Sequence, residues 1–142
     1  MSQYPLFVYG TLRPGSDNYP SYFAGRVQHE ERATLTGAAL YTEGVYPYLT
    51  IEPGLCQPFE RVIGTLVYPA PEHYAAVLRD VDELEDYVAG RSTNWYERVV
   101  QRVDTAHGRV EAYVYVAGAQ VIEMINNGQM MRVQSEEWHA SA

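Results

Sequence analysis

Short apolar runs separated by turn-forming residues dominate the chain, and this pattern is typical of β-strands. Strands are predicted over residues 5–12, 33–41, 48–51, 63–68, 96–104 and 110–116. The last two flank Thr105-Ala106-His107-Gly108, which predicts a hairpin. Gly37, inside the second strand, indicates a bulge or a close backbone approach. Residues 16–30 are polar and rich in tyrosine, and they predict a loop with one short helical turn.

One helix is predicted, over residues 71–86. Pro71 suits the first helical turn, where its missing N–H costs nothing, and Glu72 suits the positive end of the helix dipole. An apolar stripe with the helical period consists of Tyr74, Val77, Leu78, Val81 and Leu84. The stripe predicts that one side of this helix packs on the strands.

The acidic residues near the end of the helix occupy different sides of it. Asp80, Glu83 and Asp86 fall on the solvent side, Asp82 lies at the edge of the stripe, and Glu85 lies inside it. A carboxylate turned inward is costly unless it is paired or protonated, which favours a functional role for Glu85. The alternative is that the helix ends by residue 84 and that Glu85 faces water, because helix ends are uncertain by a residue or two. The pattern leaves both interpretations open.

Composition limits the classes of protein that need to be considered. The chain has 142 residues, 46% of them hydrophobic, and shows no repeat or linker, which predicts a single domain over residues 1–142. Its net charge of −8 disfavours nucleic-acid binding, which needs clustered Lys and Arg. No apolar run approaches the roughly 20 residues that span a bilayer, and none follows a basic N-terminus as in a signal peptide. We therefore expect a cytoplasmic protein without a nucleic-acid or membrane partner, and the oligomeric state stays open.

The first predicted strand leaves its apolar run through Gly10 and enters the turn Thr11-Leu12-Arg13-Pro14-Gly15. A glycine lets backbone N–H groups approach a ligand, because no Cβ intervenes, and successive N–H groups in a turn form a nest that suits a carboxylate. A core strand followed by an ordinary turn explains the same residues.

Three motifs decide between these interpretations. The string VYGTLRPG, residues 8–15, resembles the signature of the gamma-glutamylcyclotransferase superfamily. The string VDELEDY, residues 81–87, with Tyr96-Glu97-Arg98 after it, is similar to a second signature of that family. Gly44 with Tyr46-Pro47 resembles a third, weaker element, a Gly-x-x-Pro turn. The resemblance covers residues 5–116.

The resemblance implies a fold, a reaction and a site. The implied fold is α+β, a small mixed β-barrel with a few packed helices. Members of the family convert a gamma-glutamyl amine or amino acid into 5-oxoproline and the free amine, with no cofactor or metal, so the implied partner is a small-molecule gamma-glutamyl substrate. Glu85 matches the acid/base catalyst, and Tyr9, Gly10, Thr11 and Leu12 match the substrate-binding loop. A binding module that keeps the fold and the pocket without turnover is the alternative.

Some segments depart from the family pattern or carry other candidate chemistry. Residues 88–95 form an insertion next to Glu85, and we expect them to border the mouth of the pocket. The tail, residues 122–142, is compatible with a helix, a closing flap or a partner contact.

Cys56 has no partner that would make it a nucleophile, and the four histidines lack metal-ligand spacing. Arg13 and Arg98 are candidates for pairing with a substrate carboxylate, although for Arg98 a structural ion pair is favoured.

Overall fold

The computed structural model describes residues 3–139, and within them the chain forms eight strands and three helices. The strands are β1 (Leu6–Val8), β2 (Val27–Thr36), β3 (Ala39–Thr42), β4 (Pro47–Thr50), β5 (Arg61–Pro69), β6 (Tyr96–Thr105), β7 (Gly108–Ala117) and β8 (Met131–Arg132). The helices are α1 (Tyr19–Tyr22), α2 (Tyr74–Leu84) and α3 (Ala119–Asn126), and a 3₁₀ turn, Pro71–His73, leads into α2. No helix in the described range is both long enough and apolar enough to cross a membrane. Residues 1–2 and 140–142, which the predicted domain 1–142 and the predicted tail 122–142 include, lie outside the described residues.

Five of the strands close into a barrel. β1 pairs antiparallel with β5 and parallel with β7. β5 continues to β2, β2 to β6, and β6 to β7, all antiparallel, so the ring returns to β1. β7 also pairs in parallel with β4, which carries β3 and β8 beyond it. The prediction of an α+β fold built on a small mixed β-barrel with a few packed helices is confirmed.

Strand β1 is buried on both faces, which explains why its apolar run has no polar position. Phe7 belongs to the cluster of side chains that fills the barrel. Leu6 and Val8 belong to a second cluster, which α2 completes with Val77 and Val81. The apolar stripe of α2 therefore packs over β1, and this places the end of the helix beside the loop that leaves the strand.

Two predicted strands differ from those in the structure. The strand predicted over 5–12 ends at Val8, because the residues that follow leave the barrel and line a cavity. The strand predicted over 33–41 is split into β2 and β3 at Gly37, whose N–H donates to the Glu60 carbonyl at 2.6 Å. β2 begins at Val27, within the segment predicted as a loop, because its pairing with β5 defines it rather than its own polar sequence.

The chain after α3 runs back along the barrel. β8 pairs with β3, and the next residue, Val133, donates its N–H to the Leu40 carbonyl at 2.9 Å. Further on, the Glu136 carbonyl accepts from the Ile63 N–H at 2.8 Å. The described part of the tail is therefore a helix followed by a strap bonded to the barrel.

Candidate active site

The loop that follows β1 presents free backbone donors. The N–H groups of Gly10, Thr11 and Leu12 make no hydrogen bond to any residue between 3 and 139. The loop is braced by Asn18, whose side-chain amide donates to the Thr11 hydroxyl at 2.7 Å and whose N–H donates to the Thr11 carbonyl at 2.9 Å. Consecutive free donors on a braced loop can receive a carboxylate or a carbonyl oxygen without rearranging.

A glycine at position 10 accommodates the close approach of β4. A Cβ on Gly10 would lie 3.0 Å from Cγ of Pro47, the first residue of β4. Pro47 follows a turn in which Gly44 has a φ of +123° and the Glu43 carboxylate accepts from the Tyr46 N–H at 2.9 Å. The Gly-x-x-Pro element therefore packs directly against the strand-to-loop glycine of the first motif.

The end of α2 is a Schellman motif. Glu85 caps the helix, and Asp86 follows in the left-handed region with a φ of +51°. The Asp86 N–H donates to the Glu83 carbonyl at 3.1 Å, and the Tyr87 N–H donates to the Asp82 carbonyl at 2.8 Å, which are the two bonds of the motif. The reversal after Glu85 ends the helix and leaves this residue beside the β1 loop.

Glu85 is the only carboxylate among the described residues that line the cavity at this point. The helix does end at Leu84, yet Glu85 faces the cavity rather than bulk water, so each sequence interpretation was correct in one respect. Its carboxylate makes no hydrogen bond or ion pair within residues 3–139, and burial alone raises its pKa to about 7. A carboxyl group with a pKa near neutrality can both accept and return a proton at physiological pH.

Five tyrosines line the cavity with Glu85, and four of them come from or directly follow different strands: Tyr9 after β1, Tyr48 in β4, Tyr96 in β6 and Tyr115 in β7. Burial, with a smaller contribution from the charge of Glu85, raises the pKa of each of these four phenols, so all four are neutral. Tyr9 and Tyr96 already donate their hydroxyls to the carbonyls of Tyr115 and Pro47, at 2.6 and 3.1 Å. Glu85 is therefore a single titratable acid in an otherwise neutral aromatic lining.

The loop, the turn and the helix end enclose one cavity of about 270 Å³. Its lining consists of Phe7, Val8, Tyr9, Gly10, Thr11, Leu12, Asn18, Tyr46, Pro47, Tyr48, Leu84, Glu85, Tyr96 and Tyr115. The structure thus brings together all five residues that the sequence singled out, although 73 positions of chain separate Leu12 from Glu85. Their roles in binding and catalysis stay predictions. A largely apolar cavity with a few convergent polar groups is typical of small-molecule sites.

Sequence analysis missed several residues of this lining. Asn18 lies in a polar segment with no motif, and only its contact with Thr11 gives it a part in the site. Tyr46, Tyr48 and Tyr115 also line the cavity. The abundance of tyrosine, 13 residues, was compatible with a half-polar pocket but also with ordinary strands, so it could not identify these three.

The two arginines considered as substrate partners are engaged elsewhere. Arg98 forms an ion pair with Asp82 at 2.6 Å, which confirms the structural role favoured from the sequence. Arg13 pairs with Glu137 at 2.8 Å. Neither lines the cavity.

The insertion does not border the cavity as expected, since none of residues 88–95 lines it. The buried Asn94 folds the segment onto itself: its side chain accepts from the Val88 N–H at 3.2 Å, donates to the Val88 carbonyl at 2.8 Å and accepts from Arg91 at 2.8 Å. The ring centroid of Trp95 lies 6.2 Å from that of Tyr48, which lines the cavity.

Other candidate chemistry found no support in the described residues. Cys56 is partly exposed, and burial raises the pKa of its thiol, which opposes a reactive thiolate. Residues 3–139 contain no group of three or more His, Cys, Asp or Glu side chains arranged to hold a metal ion.

The profile of the family described as "Gamma-glutamyl cyclotransferase, AIG2-like" matches residues 6–140. The chain belongs to this family. A gamma-L-glutamyl-butirosin B gamma-glutamyl cyclotransferase from Niallia circulans is 30% identical over 112 residues, which make up 78% of this chain and 65% of that protein.

Solved structures of other AIG2-like folds agree with the barrel. An AIG2-like protein from Mus musculus superposes with a TM-score of 0.67 at 22% identity, covering 96% of this chain and 88% of that one. A protein from Arabidopsis thaliana superposes with a TM-score of 0.58 at 20% identity, covering 89% of this chain and 76% of that one. At this level of identity the likeness establishes the fold alone.

Proposed function

We propose that this member of the gamma-glutamyl cyclotransferase, AIG2-like family is an enzyme that releases 5-oxoproline and a free amine from a gamma-glutamyl compound, with Glu85 as general acid and base. One observation carries the proposal: a carboxyl with a pKa of about 7 shares a small cavity with three residues whose backbone N–H groups, like that carboxyl, have no partner within residues 3–139. The related protein from Niallia circulans is named as a gamma-glutamyl cyclotransferase, which supports the same reaction class.

The β1 loop supplies the binding half of the reaction. The N–H groups of residues 10–12 receive the α-carboxylate of the gamma-glutamyl group or the oxyanion that develops on its γ-carbonyl. The aromatic walls hold the chain of the substrate folded, so that the α-amine lies close to the γ-carbonyl carbon. Such positioning can supply about 7–11 kcal/mol of the barrier, because the entropy of ring closure is lost on binding.

Glu85 supplies the proton transfers. The carboxylate removes a proton from the α-ammonium, and the free amine attacks the γ-carbonyl to form the ring C–N bond. As the bond to the outer amine breaks, the protonated Glu85 returns this proton to the departing nitrogen. The ring nitrogen loses its remaining extra proton to the released amine, which leaves as an ammonium ion. The nucleophile belongs to the substrate, so the reaction requires no nucleophilic side chain and consumes no water.

The charge of the lining bears on which amine leaves. No Lys, Arg or His is among the described residues that line the cavity. A leaving amino acid carries its own carboxylate, which would find no cation here and would approach the charge of Glu85. We therefore propose that simple gamma-glutamyl amines are better substrates than gamma-glutamyl amino acids or glutathione.

The test is release of 5-oxoproline by wild type, Glu85→Gln and Glu83→Gln across a panel of gamma-glutamyl amines, gamma-glutamyl amino acids and glutathione. Gln keeps the shape of Glu but cannot carry the proton. The rate of Glu85→Gln should therefore fall by at least the ~10² to 10⁴-fold that general acid–base catalysis contributes. Its affinity for 5-oxoproline should stay close to that of wild type. Glu83 is exposed on the same helix, so its amide variant should keep wild-type activity.

Two outcomes would overturn the proposal. If Glu85→Gln keeps most of its activity, the acid/base assignment is wrong. If wild type releases no 5-oxoproline from any compound but still binds it, the protein is a binding module that retains the pocket.

A further inference from the structure

Nothing bonded to the Glu85 side chain holds it in place. Within residues 3–139 the carboxylate has no hydrogen-bond or ion-pair partner, and the next residue, Asp86, is exposed and in the left-handed region. Asp86 itself is held by Arg91, whose guanidinium pairs with its carboxylate at 3.4 Å and donates to its carbonyl. The position of Glu85 must therefore come from contacts made by its neighbours in the chain.

Asp82 ties the helix end to two strands of the barrel. It lies one turn before Glu85, and its carboxylate accepts from Arg98 in β6 at 2.6 Å and from the hydroxyl of Tyr115 in β7. The side chains of Arg98 and Asp82 are only 18% and 22% exposed, so the pair is shielded from solvent far more than a surface salt bridge. The backbone carbonyl of Asp82 also accepts one bond of the Schellman motif, from Tyr87.

Arg98 contacts the chain on both sides of Glu85. Besides its ion pair with Asp82, its guanidinium lies 5.1 Å from the ring centroid of Tyr87, two residues after Glu85. The ring of Tyr113 in β7 lies 4.5 Å from the same guanidinium. Because cation–π contacts and an ion pair fix the guanidinium together, it can clamp the segment from Asp82 to Tyr87 against the barrel.

Tyr115 connects this clamp to the other half of the site. Tyr115 lines the cavity, and its hydroxyl donates a hydrogen bond to Asp82. The hydroxyl proton of Tyr115 is therefore directed away from the cavity. Its backbone carbonyl accepts from the Tyr9 hydroxyl at 2.6 Å, and Tyr9 precedes the free N–H groups of the β1 loop. One residue of β7 therefore contacts both the helix end and the loop.

We propose that Asp82 and Arg98, which do not line the cavity, together with the Tyr115 hydroxyl are positioning groups that hold Glu85 against the β1 loop. The proposal rests on the acid/base role proposed above for Glu85. It gives a physical reason for the Asp-x-x-Glu and Tyr-x-Arg strings that the sequence contains, since residues 82, 85 and 98 act as one unit.

Removing either charge of the Asp82–Arg98 pair should shift the pKa of Glu85, and the two shifts should have opposite signs. The facing phenols of Tyr9, Tyr48, Tyr96 and Tyr115 are neutral, and the charges of Asp82 and Arg98 compensate each other. Asp82→Asn leaves the Arg98 cation uncompensated, which should lower the pKa of Glu85. Arg98→Met leaves the Asp82 anion uncompensated, which should raise it.

The experiment compares wild type with Asp82→Asn, Arg98→Met, Tyr115→Phe and the control Asp80→Asn. Asp80 lies on the same helix and forms an ion pair of similar exposure with Arg26 at 3.1 Å, away from the cavity. Two measurements are made on each protein. The first gives kcat and KM against pH with the best substrate of the panel. The second gives the pKa of Glu85 from carboxyl ¹³C NMR, with its resonance assigned as the one that is lost in Glu85→Gln. The NMR titration needs no turnover, so it tests the positioning even if the wild type proves inactive.

We expect Asp82→Asn and Arg98→Met to lower kcat about 10- to 100-fold with a smaller change in KM, since a catalytic group displaced by about 1 Å can lose that much. The pKa of Glu85 should move in opposite directions in the two variants, and the double variant should return it toward the wild-type value. Tyr115→Phe, which keeps the ring and is the variant least disturbing to folding, should lower kcat by a smaller factor. If Asp82→Asn and Tyr115→Phe match Asp80→Asn in both kcat and the pKa of Glu85, the contacts only support the fold and the proposal is wrong.

Discussion

Replacement of Glu85 by Gln should stabilise the folded protein, because it removes a charge that folding takes out of water. Burial raises the pKa of Glu85 from 4.5 to about 7, so the folded state binds this proton more tightly than the unfolded state does. Wild-type stability should therefore fall as pH rises between these two values, since the unfolded chain ionises there first. At about 1.4 kcal/mol per pKa unit, the full effect is about 3 kcal/mol.

The assay is urea unfolding of wild type and Glu85→Gln at several pH values from 5.5 to 8.5. The variant should be more stable by about 1 kcal/mol at pH 5.5 and by about 3 kcal/mol at pH 8.5, where the difference levels off. Glu83→Gln, on the exposed side of the same helix, should show a difference close to zero at each pH. A Glu85→Gln difference that stays constant across this range would refute the reasoning, because it would mean that burial does not raise the pKa of Glu85.

Two further substitutions test the other walls of the site. Gly10→Ala would set a Cβ 3.0 Å from Pro47 Cγ, so it should destabilise the protein by about 1–3 kcal/mol. It should also weaken the binding of 5-oxoproline, measured by calorimetry. An unchanged affinity would contradict the packing argument. Asn94→Ala should destabilise the protein by roughly 1–3 kcal/mol, because it removes a buried side chain that bonds both backbone groups of Val88. The order of preferred substrates should stay the same, and a changed order would show that residues 88–95 reach the substrate after all.

Much of the fold could be predicted from patterns that act over a few residues. The hairpin of β6 and β7 alternates and carries its own turn residues, and the stripe of α2 repeats with the helical period, so both were predicted to within three residues at their ends. β2 was predicted six residues too short, because its first half is polar and exposed and is a strand only through its partner β5. The family resemblance implied a mixed barrel, but the order of its strands was not predicted, since no local pattern specifies which strand pairs with which.

The candidate site also has features that the sequence predicts and features that only the tertiary structure shows. The sequence by itself determined the types of residue: a glycine where an apolar strand ends, an acid near the end of a helix, and the Gly-x-x-Pro turn. Only the tertiary structure decided that, within residues 3–139, the Glu85 carboxylate has no partner while that of Asp82, three residues earlier, has two. It also decided that Gly10, Thr11 and Leu12 line the same cavity as Glu85. Burial and charge pairing depend on groups brought together from distant parts of the chain, here β1, β4, β6, β7 and the end of α2. A pKa near 7 is therefore a property of that assembly, and no segment of the sequence contains it.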